Sequence, residues 1–450
     1  MIDKIFKLKE NKTTVSKELI AAITTFMAMS YVIFVIPSIL SNTGMDYNSV
    51  YGATIIASII GTLIIGLVGN VPYAQSVGIG LASLFTYTIC NSLGYTWEQA
   101  LAMIFICGLI NVTITLTSIR KKIIKAIPVF LQEAITVGIG LFISYIGLIN
   151  AGIIKFSSSG VVNGLAMDVV PSITNFSLDS ELLALIGLLI TLVLVVKKVK
   201  GAYLIGIILT TIIGIPMGVT GIPDFTNYQI IPDISKTFLK LDFSGLFTLN
   251  SGIIIVGITI FTLCISDLFD TIGVFIGTGK KSGIFKLDKN GNMPKKLERA
   301  LFADSVGTIV GSILGTSNIT TYVESSVGIE EGGRTGLTSV FVALLFVLSL
   351  FLAPIIKCVP MAAVSPVLIL IGLSMIENIK NIDFTDMTIL VPSFFIIIMM
   401  PFSYSITTGI EFGFILYSIV SILEGRYKEV SKVIYLFSIL FIIKYLFGIL

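Results

Sequence analysis

Residues 253–278 read IIIVGITIFTLCISDLFDTIGVFIGT, and this stretch decides the fold. It is long enough to cross a hydrocarbon layer that takes about 20 apolar residues. Yet it carries Asp267 and Asp270, whose spacing puts them on one face of a helix. A carboxylate at bilayer depth costs at least ~2.5 kcal/mol on insertion scales, so a span keeps one only where a cavity, a partner or a substrate needs it. A second acidic stretch, residues 320–336 (TTYVESSVGIEEGGRTG), puts Glu324 in a short glycine-flanked segment between hydrophobic spans. Together the two stretches form the candidate transport site.

Composition points the same way. Of the 450 residues, 55% are hydrophobic and 12% charged, with mean hydropathy +1.01, whereas a soluble domain is roughly 25% charged. This excludes a soluble enzyme and implies a polytopic, all-α membrane protein of about 14 crossings, followed by a last apolar run, 433–450, that either spans or lies in the interface. The leading residues, MIDKIFKLKENKTTVSK, are basic and polar, and the apolar stretch after them is too long for the core of a cleavable signal. Cys90, Cys107, Cys264 and Cys358 are scattered singly and read as small core residues. Histidine is absent, so proton chemistry falls to carboxylates. With no catalytic triad, metal spacing or ATP motif, the chain reads as a non-enzyme without a cofactor. Uphill movement then draws on an ion gradient.

The basic residues set an orientation. Lys4, Lys7, Lys9, Lys12 and Lys17, the run 120–125, Lys197, Lys198 and Lys200, the run 280–299, Arg334 and Arg426 all fall on one side if every span crosses. By the positive-inside rule that side, with the N-terminus, is cytoplasmic, which places the protein in the cell membrane.

Self-comparison shows an internal repeat. Ile23–Phe26 (ITTF) recurs as Ile258–Phe261 (ITIF), Gly61-Thr62 as Gly307-Thr308, and Tyr73–Ile79 as Tyr322–Ile329, with an offset drifting from 235 to 249. Residues 1–220 and 221–450 are therefore two repeats. Seven crossings in each make the second enter from the opposite side, the inverted symmetry found in many secondary transporters. In both repeats the third element is short and interrupted, by Pro72, Gly78 and Gly80 in the first and by residues 316–321 and Gly328 in the second. Broken helices free backbone N–H and C=O groups for a ligand, so the two elements are expected to meet near the bilayer centre.

The singled-out residues each have a bland alternative. Asp267 and Asp270 have no lysine or arginine within their own span, which weakens the reading of a structural ion pair. Glu324 suits an N-cap of the helix that follows, a role compatible with ligand binding. Asp304 is a weaker candidate for proton coupling, since a scaffold bond to backbone or hydroxyl explains it as well. Gly61, Gly66, Gly307 and Gly311 read as close-packing helix faces.

The stretches 24–38 (TTFMAMSYVIFVIPS), 268–273 (LFDTIG), 303–308 (ADSVGT), 315–336 (GTSNITTYVESSVGIEEGGRTG) and 399–413 (MMPFSYSITTGIEFG) resemble the nucleobase:cation symporters. Within them the likeness is to the AzgA-like branch of hypoxanthine, guanine and adenine permeases. The resemblance runs over nearly the whole chain. It implies 14 segments in two inverted repeats, a core domain that holds the substrate, a gate domain against which the core moves, often a homodimer, and proton-coupled uptake of a purine base. The family's acidic substrate ligands fall on Asp270 and Glu324, with Asp267 preceding them. Gly80 and Ala82 of the third segment, and Val323 and Ser325 beside Glu324, are carried over as substrate-binding positions. Asp267, Asp270 and Glu324 are the candidates to carry the coupled proton. Expected partners are the nucleobase and the bilayer, with no nucleic acid.

Two departures bear on the substrate. Where the family reads GMGLNA this chain reads GIGLAS, with Ala82 at the asparagine position, and Ile36 stands before Pro37 where the family has asparagine. Losing a polar ligand to a buried heterocycle costs ~1–3 kcal/mol, and Ser83 and Gln75 are the residues placed to compensate. Competing readings are a transporter of uracil, xanthine or an anion on the same architecture, or a passive channel. Site carboxylates without a cation disfavour the anion, and paired broken helices disfavour an open pore.

Overall fold

The computed structural model describes residues 2–117, 127–158, 161–162, 165–166, 169–176, 178–199, 201–222, 232–247, 252–282, 284–285, 295–352 and 358–446. The basic run 120–125 and most of 283–294, used above for orientation, lie outside these residues.

In chain order, α1 (Ile2–Phe6) precedes α2 (Val15–Met29), α3 (Val32–Leu40) and α4 (Tyr47–Ile64). The first apolar stretch is thus two helices rather than one rod. They meet at Ser30 and Tyr31, and Pro37 inside α3 removes a further helical bond. Strand β1 (Gln75–Val77) leads into α5 (Ile79–Ser83), which continues as wider turns over Leu84–Ser92 before α6 (Trp97–Leu116). The start of α6 is fixed by a capping box between Thr96 and Gln99. Helix α7 (Val129–Asn150), the strands β2 (Ile154–Ser158) and β3 (Val169–Ile173), α8 (Asp179–Val196) and α9 (Ala202–Gly214) complete the first half. The second half holds α10 (Gly252–Ser282), α11 (Lys295–Leu314), β4 (Ile319–Thr321), α12 (Ser325–Glu330), α13 (Gly336–Ser349), α14 (Met361–Ile376), α15 (Met387–Phe402), α16 (Ile406–Leu423) and α17 (Lys432–Leu446).

Among the described residues eight helical stretches are long and apolar enough to cross a membrane, and four further apolar helices are shorter. The expectation of a purely helical chain is corrected by short antiparallel strand pairs. β2 and β3 pair antiparallel, Ile154 opposite Ile173 through Ser158 opposite Val169, because the polar stretch after α7 carries β-branched residues in short runs that favour strand over helix. The final apolar run folds as α17 and packs on α16, with Ser438 bonded to Ser418 at 2.8 Å and Tyr445 donating to Glu411 at 2.5 Å.

The helices sort into two packed groups, and each draws on both halves of the sequence. α2–α6 pack with α10–α13, and α7–α9 pack with α14–α17. Backbones approach closely where glycines allow it. A Cβ on Gly372 of α14 would lie 2.2 Å from the Gly140 carbonyl of α7, the small-residue packing that lets membrane helices associate without a hydrophobic drive between them.

At the centre of the first group, β1 and β4 pair antiparallel: Gln75 faces Thr321, Ser76 faces Thr320 and Val77 faces Ile319. Gly61 of α4 and Gly307 of α11 press on this crossing from both sides, since a Cβ on either would lie 2.9 or 3.1 Å from Ile319. Helix starts at Ile79 and Ser325 share the offset of Gly61 and Gly307. The structural mate of Glu324 is therefore Gly78. The sequence match of Tyr73–Ile79 with Tyr322–Ile329 is displaced by three residues, a chance likeness of small and polar residues within otherwise corresponding elements.

Within this group the start of α2 locks onto the start of α13 through a buried carboxylate. Glu18 accepts from the N–H groups of Arg334 (3.0 Å), Thr335 (3.4 Å) and Thr338 (3.1 Å) and from the Thr338 hydroxyl (2.5 Å). It thereby caps α13 from another element and satisfies N–H groups that helix geometry leaves without partners. Glu18→Ala is expected to lower stability by roughly 2–3 kcal/mol, read as an earlier thermal unfolding midpoint in detergent. Glu18→Gln should recover part of the loss, because an amide oxygen still accepts.

Candidate functional site

The break between α2 and α3 places Tyr31 beside the tip of α12. Its hydroxyl donates to Glu324 Oε1 at 2.5 Å. Glu324 occupies the N-cap position of α12 without capping it, so the carboxylate is turned towards Tyr31 instead of its own helix. Val323, one residue earlier, is 54% exposed, and Asp270 of α10 is exposed too. The Thr320 hydroxyl of β4 hydrogen-bonds the Asp270 carboxylate. A carboxylate in a membrane-crossing group is not left facing lipid, so the accessible surface of Asp270 and Glu324 borders an open space inside the protein. It lies where β4 ends, with Asp270 on one side and Glu324 on the other.

The second group closes the far wall. Tyr203 of α9 meets Tyr31 edge to face with centroids 5.4 Å apart, and its hydroxyl lies 3.2 Å from Ser374 Oγ of α14. Gly80 belongs to the same boundary. A Cβ there would come within 3.0 Å of Ile139 on α7, so glycine lets the two groups approach at the start of α5.

The remaining candidates lie elsewhere. Asp267 is 1% exposed and accepts from Asn111 Nδ2 at 2.8 Å and Thr308 Oγ1 at 3.4 Å. It sits about 60° further round α10 than Asp270, on the face packed against α6 and α11. Asp304 is also buried. Its Oδ1 accepts from Gln75 Nε2 (2.9 Å) and Thr321 Oγ1 (2.8 Å), and its Oδ2 from Thr271 Oγ1 (2.8 Å). One carboxylate thus ties β1, β4 and α10 together. The same bonds occupy the Gln75 amide nitrogen. Ser325 accepts from the Ala74 N–H at 3.0 Å and is buried, and Ala82 and Ser83 are buried within the α5 turn.

Sequence reasoning missed the tyrosines. Tyr31 holds Glu324, Tyr203 supplies an aromatic face from the other group, and Tyr322 donates to the Val77 carbonyl at 2.5 Å, pinning the strand crossing. A phenol in an apolar span was the available signal at Tyr31, but nothing local shows that its partner lies 293 residues away. No local pattern marks Tyr203, which acquires its place from the packing of α9 against α14 and α2.

Two groups of helices meeting at a pair of interrupted elements, with carboxylates facing an open space, define a multi-pass membrane permease. The Permease family model (Xan_ur_permease) matches residues 16–412, and the chain belongs to that family. The adenine permease AdeP of Escherichia coli is 36% identical over 448 residues, covering 99% of this chain and 96% of its own. The guanine/hypoxanthine permease PbuO of Bacillus subtilis is 37% identical over 447 residues, covering 98% and 99%. Among solved structures, the transmembrane domain of a cyanobacterial bicarbonate transporter, BicA, superposes with a TM-score of 0.61 at 14% identity, covering 88% of this chain and 96% of that one. That likeness concerns the fold alone.

Proposed function

We propose that the protein imports a purine nucleobase, hypoxanthine, guanine or adenine, by proton symport. The observation that carries this reading is the pair of carboxylates bordering one open space, Asp270 and Glu324, with tyrosines from both helix groups beside it. A neutral purine edge presents N–H donors. An ionised carboxylate accepts two such bonds, and a ring face suits the partly exposed Tyr203, while Tyr31, 1% exposed, orients Glu324 from behind. Full-length relatives named for adenine and for guanine/hypoxanthine support the substrate class.

In this reading Glu324 is the main acceptor for the base edge, and Asp270 carries the coupled proton beside it. Asp267 and Asp304 hold α10 and the strand crossing in place rather than touching the base. α2–α6 with α10–α13 form the substrate-holding core and α7–α9 with α14–α16 the gate. Counting the broken elements gives 14 segments in inverted repeats 1–220 and 221–450, with the N-terminus cytoplasmic. The groups alternate access by moving against one another, and the protein works as a homodimer.

An anion on this fold is disfavoured by the site itself. Among the described residues neither Asp270 nor Glu324 forms an ion pair; the pairs present involve Glu10, Glu181, Asp46, Glu377, Asp386 and Glu429. The test is uptake of labelled hypoxanthine, guanine, adenine, uracil and xanthine by cells lacking their own base permeases. Purine accumulation that collapses with a protonophore is expected. Uptake indifferent to the proton gradient would exclude symport.

A further inference from the structure

Three hydroxyls along α10 lack the bond that their chemistry calls for. Thr259, Thr262 and Ser266 are 1%, 0% and 6% exposed, and their hydroxyls find no protein partner. A threonine or serine within a helix ordinarily bonds back to the carbonyl four residues earlier. Elsewhere in this chain Thr24, Ser58, Thr191, Thr210, Thr211 and Ser305 do so at 2.7–3.1 Å. Leaving a hydroxyl buried and unsatisfied costs ~1–3 kcal/mol, and here the cost would fall three times on one helix.

The three are also aligned. At about 100° per residue, Thr259, Thr262, Ser266 and Asp270 fall within about 80° of one another, and at about 1.5 Å per residue they climb about 16 Å. That is roughly half of a 30 Å hydrocarbon layer. Steps of about 4.5–6 Å between successive hydroxyls are too long for direct bonds and match one bridging water each. The stripe ends on Asp270, the carboxylate open to the substrate space.

The other repeat lacks such a stripe. At the offset of 235, Thr259 corresponds to Thr24, whose hydroxyl is spent on the Ile20 carbonyl at 2.9 Å. Thr262 corresponds to Met27 and Ser266 to Tyr31, which is bonded to Glu324. The polar line therefore runs to the site from one side only. With the cytoplasmic N-terminus proposed above, α10 begins at the outer face and the line opens outward.

We propose that Thr259, Thr262 and Ser266 form a hydrated path by which protons from the outer face reach Asp270. A proton enters as hydronium, each bridging water accepts one proton as it donates another, and the Asp270 carboxylate takes the last. Only O–H bonds form and break, and release to the cytoplasm restores the carboxylate. The other titratable groups around the inner end are Asp267 and Cys264 on the same helix, Asp304 on α11, Cys107 on α6, Glu324 beyond β4, and the phenols of Tyr31, Tyr203 and Tyr322. Asp304 and Glu324 already hold hydroxyl partners of their own.

This inference rests on the proton-symport reading. The full chain in proteoliposomes, with Thr259, Thr262 and Ser266 replaced together by valine, valine and alanine, tests it with labelled hypoxanthine. Net uptake driven by an imposed pH gradient should fall about tenfold or more. Hypoxanthine binding to the detergent-solubilised protein and hypoxanthine counterflow, which needs no net proton movement, should stay within about twofold of wild type, a margin worth only ~0.4 kcal/mol. Wild-type net uptake in the variant would overturn the path. Binding and counterflow lost together with uptake would overturn it too, by making the hydroxyls structural. A wild-type protein whose hypoxanthine uptake ignores the gradient would instead overturn the proposed function.

Discussion

Glu324→Gln and Asp270→Asn are each expected to cut purine uptake by about 100-fold or more. For Glu324→Gln the loss is in binding: a hydrogen bond to a charged group contributes roughly 1.5–3 kcal/mol, a carboxylate facing a purine edge accepts two, and about 1.4 kcal/mol corresponds to a tenfold change; for Asp270→Asn it is in proton coupling. The amides keep the shape of the side chains, and in Glu324→Gln the amide oxygen still accepts from the Tyr31 hydroxyl, so folding should survive. The two variants should fail differently. Glu324→Gln should weaken base binding itself, measured on purified protein. Asp270→Asn should bind base and exchange it while no longer accumulating it against a gradient, because the amide takes up no proton. Normal uptake in both would show that the open space between them is not the transport site.

The second large effect is expected at Asp304, and it concerns stability rather than transport. Its two oxygens receive Gln75 Nε2, Thr321 Oγ1 and Thr271 Oγ1. Asp304→Ala leaves the buried Thr321 and Thr271 hydroxyls without an acceptor and Gln75 Nε2 with only Thr321 Oγ1 at 3.2 Å, a loss of roughly 3–5 kcal/mol at ~1–3 kcal/mol for each broken bond with some relaxation. Sharply reduced recovery of folded protein, with an unfolding midpoint far below wild type, is the outcome to look for. A role as proton carrier makes the opposite forecast: Asp304→Asn would fold like wild type and lose only its response to the gradient. Stability measured alongside uptake in the two variants separates a carboxylate that holds the scaffold from one that titrates.

Much of the architecture was legible because it follows from rules with a fixed length or period. Hydrophobic runs give helices, and short interrupted segments at matching places give the meeting of the two broken elements, which the structure makes as a strand pair of Gln75–Val77 with Ile319–Thr321. Asp270 and Glu324 stood out because a carboxylate is costly in an apolar span. That same signal could not rank the acids. Asp267 and Asp270 share one helix face in the sequence, and only packing shows that Asp267 meets Asn111, that Asp304, the weaker candidate, meets Gln75, and that Asp270 faces open space. Tyr203 stayed invisible for a related reason: it gains its place only when a distant helix is laid against it. The repeat register failed by three residues at Tyr73 because residue identity was followed where the backbone follows helix starts.

The strand crossing has a consequence for how the chain is made. β1 emerges from the ribosome some 240 residues before β4, its partner. Until then the backbone groups of Gln75–Val77 have no β-sheet neighbour, and lipid offers them none. The first half therefore cannot reach its final form as it is synthesised and must wait, with its third element held in water or at the headgroups. Completion comes late, in one long-range event that joins both halves and is slow on loop-closure grounds. A ribosome stalled before Ile319 leaves no binding site at all, since neither β4 nor Glu324 has yet been made.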